Sequence, residues 1–190
     1  SIDYWYSYGT FDQHHNPHYW DNDCLKHEPK EWSPKHEADV AIDYIENSKG
    51  QRNSEKPFCL FISMNPPHDP HKTLRDTDEE MYYKYYSPEI VPEVGDLLTR
   101  PNCQGSIADE HVRYYYSHIS GVDKQFGRIL DAIENQGYKE NTIVIFSADH
   151  GEMLGSHGLM GKNIAYDESM LIPLLIRYPR RMQHRIENMM

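Results

Sequence analysis

Asp149 and His150 stand side by side at the end of the apolar run Thr142 to Phe146, in the stretch "SADHGEMLGSHGLMGK". A carboxylate oxygen and an imidazole nitrogen are both good donors for a divalent ion. Four glycines follow, Gly151, Gly155, Gly158 and Gly161, then Lys162. So many glycines make a loop costly to order, and such a loop persists when its backbone must lie close to something. A lysine beside a cation is repelled unless an anion sits between them. Metal plus lysine is therefore the arrangement expected for an oxyanion such as sulfate or phosphate. A second group of ionisable residues, His68, Asp69 and His71, lies in the proline-bound loop "NPPHDPH".

Elements of regular structure must deliver these groups. "SPKHEADVAIDYIENSKG" (33–50) predicts a helix. Ser33 is the expected cap, Pro34 suits the first turn, and Ala38, Ala41, Ile42 and Ile45 share one face. "PFCLFISM" (57–64) reads as a buried strand because it is continuously apolar, with Cys59 as a buried thiol. Residues 71–108 are polar and broken by Pro88, Pro92 and Pro101, with one short helix expected near Asp78–Tyr86. Val112, Tyr115, Ile119, Val122, Phe126, Ile129, Leu130 and Ile133 recur at three- and four-residue steps and predict a long helix. "TIVIFS" and "MLIPLLIRYP" read as strands, the first of them buried, and a charged tail starts at Arg180. Helix followed by strand and loop, twice over, predicts an α/β fold with a mainly parallel sheet and flanking helices. In such sheets functional groups gather beyond the carboxyl ends of the strands, where His68 and Asp149–His150 lie.

The bulk properties exclude some functions. The 190 residues are enough for one domain with a core, or for part of a larger one. Net charge is −11, from 19 basic and 30 acidic residues, so no basic face for nucleic acid is expected. Any anion site must be built locally. No apolar run approaches the roughly 20 residues of a membrane span, and no signal peptide is visible. Cys24 and Cys103 can pair where the fold brings them together. Residues 1–32 show no clean period and predict irregular structure with many aromatic contacts, in which His14, His15 and His18 form a solvated polar cluster.

"SADHGEMLGSHGLMGK" resembles the C-terminal active-site motif of the sulfatase family, in the alkaline phosphatase superfamily. "NPPHDPH" resembles that family's P-H-x-P loop. "DYW" near the start resembles the stretch after its G-K-W-H-L-G motif, and the segment from Tyr114 to Phe146 resembles the one before the metal motif. The resemblance runs from Asp3 to Pro179. It implies an alkaline phosphatase-like fold, and Asp149 and His150 as ligands of calcium or magnesium. Lys162 would contact a sulfate oxygen. His68 would contact the sulfate or help to protonate the leaving oxygen. His157 is expected to play a supporting part, and Glu152 to be a solvated loop acid.

The family's nucleophile is a formylglycine made from Cys or Ser in C/S-x-P-S-R. Cys24 precedes Leu-Lys-His, Cys59 precedes Leu-Phe-Ile and Cys103 precedes Gln-Gly-Ser, so none has that context. The nucleophile and the paired aspartates that complete the metal site are expected upstream of Ser1. The whole chain, 1–190, thus reads as part of a sulfatase catalytic domain, acting on an aryl sulfate or a sulfated glycan. A periplasmic, secreted or lysosomal-type compartment goes with the resemblance. Two rivals stay open: a phosphonate or phosphate-ester hydrolase of the same superfamily, and a non-catalytic binding module of this fold. Oligomeric state is not legible.

Overall fold

The 27-residue helix α3 (Asp109–Asn135) is the longest element of the chain. The computed structural model describes residues 3–9, 12–96, 100, 102, 103 and 109–182. The expectations for Pro101 and for the tail beyond Met182 lie outside them. The chain divides into two compact units. One is Ser1–Thr99 with Ala108–Ala132, the other Arg100–Ile107 with Ile133–Met190. The fold is α/β, with helix and strand mixed along the chain.

In the first unit, α1 (Ser33–Glu46) buries Ala38, Ala41, Tyr44 and Ile45 at helical spacing. Its N-cap is Trp32, not Ser33, and no side chain caps it. Ser33 is buried, with its hydroxyl lacking a hydrogen-bond partner among the described residues. Asn47 ends the helix in the left-handed conformation, its N–H reaching back to the carbonyls of Asp43 and Tyr44. The short helix expected near Asp78 is α2 (Glu79–Met81), continued by one wide turn over Tyr82–Tyr86. Asp78 caps it by accepting from the N–H of Met81 at 3.1 Å.

The buried stripe of α3 differs from the purely apolar one expected. Val112, Ile129 and Ala132 are buried, but so are Ser117, His118, Gly121 and Gln125, whereas Ile119 is exposed. Gly121 shows why. A Cβ there would lie 2.5 Å from the Trp32 ring and 2.7 Å from Asp78 Cβ, so the helix crosses Trp32 where glycine alone fits. That crossing fixes the rotation of α3. Arg128 then reaches Asp39 of α1 at 2.5 Å.

Residues 1–32 are more regular than expected. β1 (Tyr6–Tyr8), β2 (Tyr19–Asp21) and β3 (Lys26–His27) form an antiparallel meander. Tyr6 stacks on Tyr19 with ring centroids 5.0 Å apart, the cross-strand aromatic pairing that holds so short a sheet. The solvated histidine cluster is also corrected: His14 is 1% exposed and His15 is half-buried.

Residues 57–64 form no strand. They alternate between exposed and half-buried, the period of an extended segment covered on one side, and Phe61 is 89% exposed. No neighbouring strand among the described residues covers the other side. Cys59 is accordingly exposed, not buried, and all three cysteines are free thiols.

In the second unit, β4 (Val144–Ser147) pairs antiparallel with β5 (Leu174–Arg177), in the register Val144 with Arg177 and Ser147 with Leu174. Every strand pairing among the described residues is antiparallel. The parallel pairing expected from the helix–strand order is not among them, because the 57–64 segment has no strand partner among the described residues. Ile145 and Leu175 stay largely open, so the ribbon is not the buried strand expected there. Among the described residues no helix is long and apolar enough to cross a membrane.

Candidate functional site

β4 ends at Ser147, and the chain passes directly into Asp149 and His150. The Asp149 side chain is 90% exposed, and its Oδ1 accepts the N–H of His150 at 3.1 Å. His150 Nδ1 lies 2.7 Å from the carbonyl oxygen of Gly151. A carbonyl only accepts, so Nδ1 carries the proton, and Nε2 of the neutral ring carries the lone pair. That Nε2 is 3.6 Å from Asp149 Oδ2. One imidazole lone pair and one carboxylate oxygen therefore share a small region at a strand end. This donor pair fits a divalent cation as part of a coordination shell. Among the described residues no group of three or more such side chains completes the shell.

Gly151 is required for close approach. Its N–H donates to the Ser169 carbonyl at 2.8 Å. A Cβ there would lie 2.1 Å from the Glu168 carbonyl oxygen and 3.0 Å from its carbon. The later glycines serve a different need: Gly155, Gly158 and Gly161 all have positive φ, between 73° and 84°. They let the chain fold back on itself. Met153 N–H bonds to the Gly161 carbonyl at 2.9 Å, and Gly155 N–H to the Leu159 carbonyl at 2.8 Å. Met153, Leu154 and Ser156 are buried inside the resulting knob.

Lys162 follows that return. The Ser169 hydroxyl donates to the Lys162 carbonyl, while the Ser169 carbonyl receives Gly151. One buried serine of α4 (Asp167–Met170) thus ties the residue after His150 to Lys162. The two ends of the glycine loop thus meet at Ser169, which joins the Lys162 backbone to that of Gly151.

Glu152 is not the solvated acid expected. Its Oε1 accepts the N–H groups of Gly161 at 2.6 Å and Leu154 at 3.2 Å, closing the loop from within. His157 is held by its backbone and its ring. At φ 56° its N–H donates to the Asn102 carbonyl at 2.9 Å, and its ring stacks on Tyr166 with centroids 4.1 Å apart. Asn102 Nδ2 donates to Glu168 Oε1 at 2.6 Å, which holds that carboxyl below the usual range. Arg100 Nη1 donates to the Met153 carbonyl at 3.2 Å and to Ser156 Oγ at 2.9 Å. Arg100 and Ser169 escape sequence reading because they hold backbone groups, which every sequence has, and Asn102 because its side-chain partner Glu168 is far away in sequence.

His68 belongs to the first unit. Its N–H bonds to the Asn65 carbonyl at 3.0 Å. Its ring is 33% exposed; Nδ1 donates to the Asp69 carbonyl at 3.1 Å and lies 3.6 Å from Asp12 Oδ1. Its own carbonyl accepts from His14.

Comparison with known proteins gives these loops a context. The family model "Sulfatase" matches residues 2–190. An endo-4-O-sulfatase of Bacteroides thetaiotaomicron is 44% identical over 191 residues, covering 100% of this chain and 37% of that protein. An ulvan-active sulfatase of Formosa agariphila is 34% identical over 94% of this chain and 34% of that protein. Among solved structures, a protein from the same Bacteroides species, described with its metabolism of multiple glycosaminoglycans, matches with a TM-score of 0.92. It is 45% identical over 98% of this chain and 38% of that one. The chain therefore spans a little over a third of the length of these relatives. With a family model over nearly every residue, the chain belongs to the sulfatase family.

Proposed function

We propose that the protein carrying this chain hydrolyses sulfate esters of a glycan, converting R–O–SO₃⁻ and water to the alcohol and sulfate. Asp149 and His150 supply one part of a site for calcium or magnesium. Lys162 binds a sulfate oxygen. His68 contacts the sulfate or gives a proton to the leaving oxygen. When bound, the cation would offset negative charge on the sulfate oxygens. The chain's own residues do the rest. His150 keeps its lone pair on Nε2 through the bond from Nδ1 to Gly151. The glycine loop returns the Lys162 backbone to the Ser169 that also holds Gly151, and from there its ammonium would favour an anion at that strand end. The nucleophile, a formylglycine in this family, and the other metal ligands are placed outside this chain.

The observation that supports the reading is the bridge through Ser169, which joins the backbone of Gly151, next to His150, to the backbone of Lys162. The relative named endo-4-O-sulfatase makes glycans bearing 4-O-sulfate the first substrates to test. The assay is release of inorganic sulfate by the full-length protein. Lys162→Ala should lower kcat/KM about 10²–10³-fold, the usual worth of one preorganised electrostatic contact. A fully active Lys162→Ala protein would remove the lysine from the reaction.

A further inference from the structure

His68 is held by its backbone as well as by its ring, and the residue holding it comes from a distant loop. His14 Nε2 lies 2.7 Å from the His68 carbonyl oxygen. That oxygen can only accept, so Nε2 carries a proton. In the neutral ring Nδ1 is then bare, and His14 Nδ1 has no hydrogen-bond partner among the described residues. A charged ring would put a second N–H there, buried, with nothing to receive it. Burial accordingly lowers the basicity of His14. The bond to the His68 carbonyl, and the charges of Asp76 and Asp12, pull the other way, while the His68 ring adds to the lowering.

The walls around His14 are imidazoles too. Its ring meets His118 of α3 edge-on, with centroids 4.9 Å apart, and His118 meets His71 at 6.1 Å. His118 is fully buried, and neither of its ring nitrogens has a hydrogen-bond partner among the described residues. Burial first, then the neighbouring His14, His71 and His15, drives its basicity well below the histidine range. A leucine would fill such a space at less cost. What a histidine adds at position 14 is one N–H aimed at the backbone of His68.

We propose that His14 is a positioning residue for the sulfatase reaction: its Nε2–H fixes the carbonyl of His68 and so sets the direction of the His68 ring, with the buried His118 packed behind it. This rests on the reading that His68 serves the sulfate. His14 touches no substrate and acts through His68, so its effect must vanish where the His68 ring is gone.

The test is a double-mutant cycle in the full-length protein with a 4-O-sulfated glycan. His14→Phe keeps a ring but removes the donor, and should lower kcat/KM about 10–100-fold, the scale of a displaced reacting group. His14→Gln carries an amide N–H where Nε2 was, and should stay within about threefold of wild type, because a donor still reaches the carbonyl. Adding His14→Phe to His68→Ala should change nothing further. A His14→Phe enzyme as active as wild type overturns the proposal, as does an equal further loss in the His68→Ala background, which marks a general structural role. Ring nitrogen NMR of histidine-labelled wild type decides the matter even where the variants do not fold or no sulfate ester is turned over. A neutral His14 protonated at Nε2 from pH 5.5 to 8 supports the proposal; a charged ring or an Nδ1–H tautomer overturns it. Absence of turnover in wild type with the expected His14 signal would reject the sulfatase reading and keep the His14–His68 contact.

Discussion

A single methyl group at Gly151 should damage both fold and function. In Gly151→Ala the new Cβ would lie 2.1 Å from the Glu168 carbonyl oxygen, whereas ordinary contact begins near 3.4 Å. The difference, about 1.3 Å, must be taken up by backbone, because the obstructing atoms are main-chain atoms and not the end of a flexible side chain. Moving Glu168 by that much stretches the 2.8 Å bond from Gly151 N–H to the neighbouring Ser169 carbonyl. Ser169 also holds the Lys162 carbonyl, so Lys162 moves relative to Asp149 and His150. Overpacking of this kind costs about 1–3 kcal/mol of stability. A misplacement near 1 Å costs roughly 10²-fold in rate, or about 2.7 kcal/mol of barrier. The assay pairs urea unfolding with sulfate release by the full-length protein. The control is Gly127→Ala in α3, where a Cβ meets nothing within 4 Å; there a gain of about 0.5–1 kcal/mol and unchanged turnover are expected. Wild-type kcat/KM in Gly151→Ala would refute the bridging role of Ser169.

Glu37 gives a prediction in pH. Burial raises its carboxyl from 4.5 to about 7, although the hydrogen bond from the Tyr19 hydroxyl, 2.8 Å from Oε1, acts to lower it. The folded state therefore holds this proton up to about pH 7 while the unfolded state releases it near 4.5. The stabilisation is fully present below pH 4.5 and is lost as pH rises to 7, worth at most about 3 kcal/mol at 1.36 per unit. Glu37→Gln should flatten that slope in unfolding measured from pH 4.5 to 7.5; an unchanged slope would assign it to other groups. For the metal, the 190-residue chain alone should bind calcium weakly, with Kd roughly millimolar, because two donors supply a fraction of the six or more oxygens a hard cation takes. Asp149→Ala should abolish that binding in calorimetry, and tight binding that survives the substitution would place the cation elsewhere.

The helices were legible because their apolar spacing is long and periodic, but the rotation of α3 was not. Its apolar pattern points to Ile119, which is exposed, while His118, Gly121 and Gln125 are buried. Steric fit against Trp32 at Gly121 overrides hydrophobicity there. Residues 57–64 have the composition of a buried strand, yet a strand exists through its partner, and no described strand pairs with them. The β1–β3 meander was hidden by its brevity, although the alternation Tyr6, Ser7, Tyr8 is a weak signal of extended chain. At the candidate site, Asp149, His150 and Lys162 stand out in the sequence by side-chain chemistry and glycine spacing, whereas the Ser169 bridge that joins their loop does not. Nor does His14: a histidine in a polar loop gives no sign that its N–H will close on a carbonyl from another loop.

The division of labour in the glycine loop makes its chemistry separable from its folding. The scaffold is built from backbone bonds, from Glu152 inside the loop, and from Arg100, Asn102 and Ser169 outside it. Lys162 contributes its carbonyl to that scaffold, a group that every residue has. Among the described residues, the almost wholly exposed Asp149 carboxylate accepts the adjacent N–H and lies near the adjacent ring. Truncating the exposed Asp149 side chain therefore removes charge without removing a support among the described residues, and exposed positions of this kind usually change stability by less than about 0.5 kcal/mol; Lys162 is half-buried, so its variant is read against its own unfolding midpoint. A large loss of turnover in Lys162→Ala with an unfolding midpoint like wild type is thus a statement about anion binding. The same loss in Gly151→Ala, with its midpoint lowered, is a statement about the frame that aims the lysine.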